Sequence, residues 1–399
     1  MANGISWGRC EHHYGAVAAI RGLQHRGVGT PFLRGKADFT AFNPKPTKHC
    51  TTPLKVGSAG SVLISVRAPV GDVNLADRDY IVGRGLAALQ TKHGDELFLF
   101  YALLYNKERI AALGSGTTFQ SINRSTLFAF EIGLPPLPEQ RAIARVLRAV
   151  QDAREARRRE LELERERKAL LRARLLGGET NGEPRVPTEY GELPRSWSIR
   201  PLSELSLRVV DCPHTTPCFV PSGVVVVRNF NVRDGQLVLA PAFFTSETEY
   251  RERIARCEPG EGDVLFSREA PVGEACAIPA CTRLSLGQRM MLIRPDATRL
   301  SGAYLVHALY APAVRARMAS LSTGVTAKHL NVADVRRLAI PVPPLREQHE
   351  IAGLLGACHE KVRALEVEAT LLGELFRAVL EELMTGRVSA AALVEKTPA

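Results

Sequence analysis

Pro135-Pro136-Leu137-Pro138-Glu139-Gln140 opens a stretch that runs to Leu176 without another proline or any glycine. The same text returns as Pro343-Pro344-Leu345-Arg346-Glu347-Gln348, ahead of a second long stretch ending at Met384. Proline lacks a backbone donor and disfavours helix in the residue before it, so the prolines predict an extended entry and a helix from about Glu139. A glutamate in the first turn suits the positive end of the helix dipole. Gly177-Gly178 reads as the C-terminal cap. At about 1.5 Å per residue such a helix is roughly 55–60 Å long, which points to helix–helix pairing rather than an ordinary globular helix.

The two copies lie 208 positions apart without a gap from Gly116/Gly324 onward, through Thr118/Thr326, Asn123/Asn331, Ile132/Ile340, Ile143/Ile351, Leu147/Leu355 and Leu175/Leu383. A repeat of this length in two copies is a duplicated structural unit. Steps of four and three from Ile351 reach Leu355, Cys358, Val362, Leu365, Ala369, Leu372, Phe376, Val379 and Leu383, all apolar. This is a heptad seam. The equivalent positions of the first copy are Ile143, Leu147, Val150, Arg154, Arg157, Leu161, Glu164, Lys168, Leu171 and Leu175, apolar at both ends and charged in the middle. Residues 139–176 hold 12 Arg/Lys against 7 Asp/Glu, whereas 347–384 hold 3 against 8. Opposite net charge favours pairing between these helices over self-pairing. The alternative is two separate helices with solvated charged faces.

A chain of 399 residues is expected to form two or three domains, and 45% hydrophobic residues suffice for real cores. The net charge of +10 fits a polyanionic partner, most simply nucleic acid, or plain solubility. No run of about 18 apolar residues exists, so no membrane span is expected. The N-terminus lacks a signal pattern. Eight scattered cysteines read as reduced thiols in a cytosol.

From Thr30 to about Ser125 the text is strand-like. Gly60 to Gly71 reads as a buried strand and a turn, Asp79 to Leu89 as another turn–strand unit, and Glu96 to Leu113 as helix. Gly177 to Arg200 reads as a linker into a new domain. There, Gly262 to Gly273 echoes the first strand and turn at an offset of 202, which implies a net insertion of six residues before the ungapped repeat. Residues 301–320 repeat the helical element. The order is globular domain, long helix, globular domain, long helix.

This order, the Pro-Pro-Leu-x-Glu-Gln helix starts and the Ala-Pro-Val-Gly turns at 68–71 and 270–273 resemble the specificity subunits of type I restriction–modification systems. Thr30 to Phe39, Ser65 to Asn74, Asp211 to Pro217 and Leu286 to Met290 are similar to stretches of their recognition domains. The resemblance covers about residues 30–387. It implies an α+β fold with pseudo-twofold duplication: a first target recognition domain (1–134), a long helix (135–178), a second recognition domain (179–342), a second long helix (343–387) and a tail (388–399). It also implies that each domain reads half of a split DNA sequence. The helices would pair as an antiparallel coiled coil that sets the spacing. They would dock two methyltransferase subunits for adenine methylation, with restriction subunits joining in the full complex. On this reading the chain is not an enzyme, needs no cofactor and works in the cytoplasm. One departure concerns the first domain. Leu193-Pro194-Arg195-Ser196-Trp197 and the residues after it have no clear counterpart before Thr30-Pro31. Trp7 is the only candidate, so an altered or truncated start is expected.

Catalytic text is missing. No Asn/Asp-Pro-Pro-Tyr/Phe motif of an adenine methyltransferase occurs. Gly29 to Lys36 has one residue too many for a phosphate-binding loop, and Ala37 replaces its Ser/Thr. Cys10, His12 and His13 have no second pair at zinc spacing, and Cys212-x-His214-x3-Cys218 reads as loop thiols. DNA contact needs cations for phosphates and forked or amide side chains for base edges. The candidates are Arg34, Lys36, Arg67, Arg84, Thr118 and Gln120 in the first domain, and Arg228, Asn229, Arg268, Gln288, Arg289, Thr326 and Lys328 in the second. A stand-alone nuclease or methyltransferase and a scaffold that binds no DNA are the competing classes. Detectable AdoMet binding or Mg²⁺-dependent cleavage by the chain would favour the first. Negligible, salt-insensitive DNA affinity would favour the second.

Overall fold

The structure, a computed structural model, describes residues 13–14, 23–24, 28–51, 55–115, 120–179, 182–213, 215–324 and 328–394. Trp7, Cys10, His12, Thr118, His214 and Thr326 lie outside these residues. The chain divides into two compact units, Met1–Arg158 with Val367–Ala399, and Arg159–Glu366. Each unit therefore takes part of both long helices, a division that differs from the sequential one read from the text.

In the first unit an antiparallel sheet has the order His13–Tyr14, Leu86–Leu89, Val62–Ser65, Val73–Leu75. A second sheet has the order Leu23–Gln24, Lys48–Cys50, Thr30–Leu33, Tyr80–Val82, Val56–Gly57. Thr30–Leu33 and Tyr80–Val82 run parallel in it. The stretch read as one turn–strand unit is two strands, Tyr80–Val82 and Leu86–Leu89, one in each sheet. Gly83-Arg84-Gly85 carries the chain between them. The helix expected over 96–113 is Glu96–Tyr105 and Lys107–Ala112. They part at Asn106, whose side chain turns back to donate to Ala102 O (2.8 Å).

The second unit repeats this plan. Ser206–Asp211, Met290–Pro295, Val264–Ser267 and Ala275–Ala277 form the antiparallel sheet, and Val224–Val227 runs parallel to Leu284–Leu286 in the other. Matching hydrogen bonds fix the alignment. The offset is 202 at Val62/Val264, 204 at Val82/Leu286, 206 at Asp95/Ser301 and 208 at Ser115/Thr323. The six extra residues thus enter two at a time. Spread over three connections, they leave the pairings of the antiparallel sheet and of the parallel strand pair intact. Ala339–Val342 pairs with Ser198–Pro201, beside buried Trp197. The matching stretch 131–134 forms no strand among the described residues.

The long helices are Leu137–Leu176 and Leu345–Met384. The first begins two residues before the expected start, with Pro138 inside its first turn. An N–H there has no helical partner in any case, so proline costs nothing. The repeated glutamine explains the repeated motif. Gln140, 4% exposed, accepts the Asp95 N–H (3.0 Å) and donates to Pro135 O (2.8 Å). Gln348, fully buried, accepts the Ser301 N–H (2.8 Å) and donates to Arg299 O (2.9 Å) and Pro343 O (3.0 Å). Asp95 and Ser301 cap the matching helices Glu96–Tyr105 and Gly302–Leu309, so each glutamine ties the start of a long helix to the start of a domain helix. The preceding glutamates also match: Glu139 accepts from Ser389 Oγ (3.1 Å), and Glu347 from Trp197 Nε1 (3.1 Å). At the far end, Gly178 is left-handed (φ 67°), its N–H bonds Leu175 O, and the Glu179 N–H bonds Arg174 O. This is a Schellman cap. Gly386, 208 positions on, has φ 70° and bonds Leu383 O.

The two long helices pack against each other in both units, antiparallel in each. In the first unit Arg154 lies over the Phe376 ring (4.6 Å) and Arg157 pairs with Glu368 (3.1 Å). In the second, Glu164 pairs with Lys361 (2.7 Å), and Lys168 reaches His359 Nδ1 (2.8 Å) and Asp234 (3.0 Å). The charged middle of the first seam is therefore matched residue by residue rather than open. Leu161, Val362 and Leu365 form a buried cluster of their own. The seam ends join the domain cores. Ile143, Leu147, Phe376 and Leu383 are buried with the first core, and Val150 and Val379 pack against it. Leu175, Ile351 and Leu355 are buried with the second core, with Leu171 against it, while Leu372 is partly buried.

Candidate nucleic-acid interface

Each domain builds a niche at the end of its parallel strand pair. The Gly83 N–H bonds Leu33 O and the Gly287 N–H bonds Val227 O. A Cβ at either glycine would lie 2.8 Å from that carbonyl oxygen, so only glycine allows the approach. The Ala-Pro-Val-Gly turn supplies the second wall. Ser65 Oγ donates to Pro69 O (2.6 Å) and Ser267 Oγ to Pro271 O (2.8 Å). Gln120 and Lys328 stand on a third side. Gln120 O accepts the Ala68 N–H (3.0 Å), and Lys328 O accepts the Ala270 N–H (3.5 Å).

In the first domain, Phe32, Arg34, Lys36, Arg67 and Arg84 line a cavity of about 340 Å³ with Gly83 and Gly85. Arg34 is committed inward, with Nη2 2.7 Å from Asp38 Oδ1 and its N–H 2.7 Å from Oδ2. Lys36 and Lys107 share Asp72 (2.7 and 2.5 Å). Burial works against the Asp72 charge, but the hydrogen bonds from these lysines hold its carboxyl below the usual carboxylate range. Arg67 and Arg84 are exposed and have no ion-pair partner among the described residues. Gln120 is exposed beside them.

The second niche holds different residues. Arg228, in register with Arg34, has Phe230, Phe243 and Phe219 within 5.0, 5.3 and 5.8 Å in place of a carboxylate. Such ring faces hold a guanidinium without neutralising it. Asn229 donates to Ala270 O (2.6 Å), and Gln288, in register with Arg84, donates to Thr216 Oγ1 (3.0 Å). Lys328 is exposed. Arg268 does not match Arg67. It matches Val66 and lies largely inside, against Asp211 (3.2 Å) and Glu269 (3.4 Å). The residue at the Arg67 position is Glu269, which also meets Arg289 (3.2 Å).

A reading confined to cations and to hydroxyl and amide side chains left out Asp38, Asp211, Glu269 and the three phenylalanines. Asp38, four residues after Arg34, carried a local signal. So did Glu269 beside Arg268 and Phe230 two residues after Arg228, whereas Asp211 and the other two rings meet their arginines only through the fold. Among the described residues, no three His, Cys, Asp or Glu side chains gather as a metal site.

Two copies of one mixed domain, each with a basic niche and each tied to paired long helices, define a duplicated binding scaffold. The family described as type I restriction modification DNA specificity domain matches residues 29–165 and 237–366, and the chain belongs to it as a specificity subunit with two DNA specificity domains. It is 44% identical over 154 residues to a Methanocaldococcus jannaschii protein provisionally named the type I restriction enzyme MjaX specificity subunit. That match spans 38% of this chain and 36% of that protein. It is 24% identical over 342 residues to the type I restriction enzyme EcoBI specificity subunit of Escherichia coli, over 76% of this chain and 71% of that one. The fold is similar to the crystal structure of the S subunit of a type I restriction-modification system from M. genitalium, with a TM-score of 0.64 at 16% identity, over 94% of this chain and 93% of that one. No helix among the described residues is long and apolar enough to cross a membrane.

Proposed function

We propose that each domain reads one half of a bipartite DNA target through its niche, and that the paired helices fix the spacing between the halves. The chain directs adenine methylation by two docked methyltransferase subunits in the cytoplasm. It joins restriction subunits in the full complex and performs no chemistry itself. The observation that carries this reading is the pair of niches, built on one backbone frame in register but lined by different polar side chains. Backbone contacts position a protein on DNA and side chains at base edges choose the sequence. Docking is supported by apolar side chains left outside on the long helices: Val367, Leu371 and Leu375 on the second, and Leu163 and Leu170 on the first. Stripes of this kind mark protein interfaces.

The test is co-expression with the cognate methyltransferase subunit in a methylation-free host, followed by mapping of modified adenines. A split motif with two defined halves is the expected result. One defined half would mean that the first domain does not read. A stable complex without methylation would leave only a scaffold.

A further inference from the structure

We propose that Arg289 reads a guanine in the half-site of the second domain, and that Glu269 is the residue that positions it. The inference rests on the DNA-reading role proposed above and assigns one base contact within it.

Three observations meet at Arg289. Its backbone is left-handed, with φ 72°, a conformation that side chains other than glycine rarely adopt. Its counterpart in the first domain is Gly85, identified by the shared bond from Val66 N–H to Gly85 O and from Arg268 N–H to Arg289 O. Gly85 itself is not left-handed, but glycine at 289 would hold the Arg289 conformation without strain, so the arginine comes at a cost to stability, as side chains at binding sites often do.

Next, Arg289 ends a ladder of alternating charge. Asp211, Arg268, Glu269 and Arg289 follow one another with side-chain exposures of 7, 13, 25 and 51%. The inner three are fixed by burial and pairing, and only the last faces solvent. The ladder thus holds an exposed guanidinium at a set angle instead of leaving it free to sweep.

Finally, the Arg289 guanidinium approaches Glu269 through Nε (3.2 Å) and has no other hydrogen-bond or ion-pair partner among the described residues. The Nη1/Nη2 edge remains as a fork of two donors. That fork matches the O6 and N7 acceptors of guanine in the major groove. The first domain lacks this device, because Arg67 stands where Glu269 stands and glycine where Arg289 stands.

The experiment compares the complex with its methyltransferase subunit for the unchanged chain, Arg289→Gly and Glu269→Gln. It maps the methylated motif, DNA affinity against salt, and thermal unfolding. Arg289→Gly is expected to fold at least as well, because it relieves the left-handed strain. It should lose about tenfold or more in discrimination at one guanine of one half-motif, with the other positions unchanged. Glu269→Gln should relax the same position in part while the salt dependence stays as steep. An unchanged motif with Arg289→Gly overturns the proposal and leaves the reading role standing. So does uniform weakening at all positions with a shallower salt slope, which is the mark of a phosphate contact. The reading role itself fails if the unchanged chain directs methylation to no split motif.

Discussion

Gln348 has its amide fully engaged in a buried setting, and its removal strands the Ser301 N–H together with two carbonyls. Leaving a buried backbone group unpaired costs about 1–3 kcal/mol, so Gln348→Ala, which strands three, is expected to lower stability by roughly 3 kcal/mol or more in urea unfolding. The two cap glycines make a sharper comparison. A Cβ at Gly178 would sit 2.2 Å from Pro194 Cδ, whereas one at Gly386 meets nothing within 4 Å. Gly386→Ala should cost about 1 kcal/mol for the left-handed backbone alone. Gly178→Ala should cost clearly more; equal costs would mean that Pro194 moves aside freely. The glutamine was visible in the sequence as part of a repeated motif, but its role was not. Its partner on Ser301 lies 47 residues away and is reached only through the fold.

At the scale of elements, the seam of the second helix was legible because all its positions are apolar. The first helix was only half legible. Arg154, Arg157, Glu164 and Lys168 look like interruptions until their partners are known, and no periodicity names a partner on another helix. Around Lys168 the second unit holds a dense polar joint. An ammonium can only donate, so His359 Nδ1 accepts from Lys168, while its Nε2 meets the Gln236 side-chain amide. Burial, with Lys168 next, pushes the His359 pKa down. His307 is pushed down to about 4 by burial first and then by Arg172, His359 and Lys168, with Asp234 working the other way. A histidine held neutral in the fold binds its proton more readily when unfolded. Its contribution is therefore present above about pH 6.5 and lost as pH falls toward 4. The second unit should lose on the order of 3 kcal/mol across that window. Unfolding followed by Trp197 fluorescence in a Trp7→Phe background would show it, and His307→Phe should flatten the profile. A profile equally steep in that variant would put the loss elsewhere.

At the scale of the whole molecule, DNA affinity of the assembled complex should fall steeply with salt. Arg67→Gln and Arg84→Gln should each lower the slope of log affinity against log salt by about 1 if they meet phosphates. Leu371→Asp should weaken capture of the methyltransferase subunit on a co-purification column while leaving unfolding unchanged, since the side chain is 57% exposed. The duplication was legible because the offset of 208 holds through both helices. The three two-residue steps were not, because insertions in surface connections leave no pattern behind. The grouping into compact units carries no signal in the text, because text is read in order and a core is not built in order.

That last point reaches back to synthesis. Phe376, Leu380, Leu383 and Ala390 line the core of the first domain, and Ser389 bonds Glu139. The ribosome thus finishes every piece of the second unit before it has made the residues that close the first. A premature stop after residue 366 would spare all of the later-made unit and strip the earlier-made one of a wall.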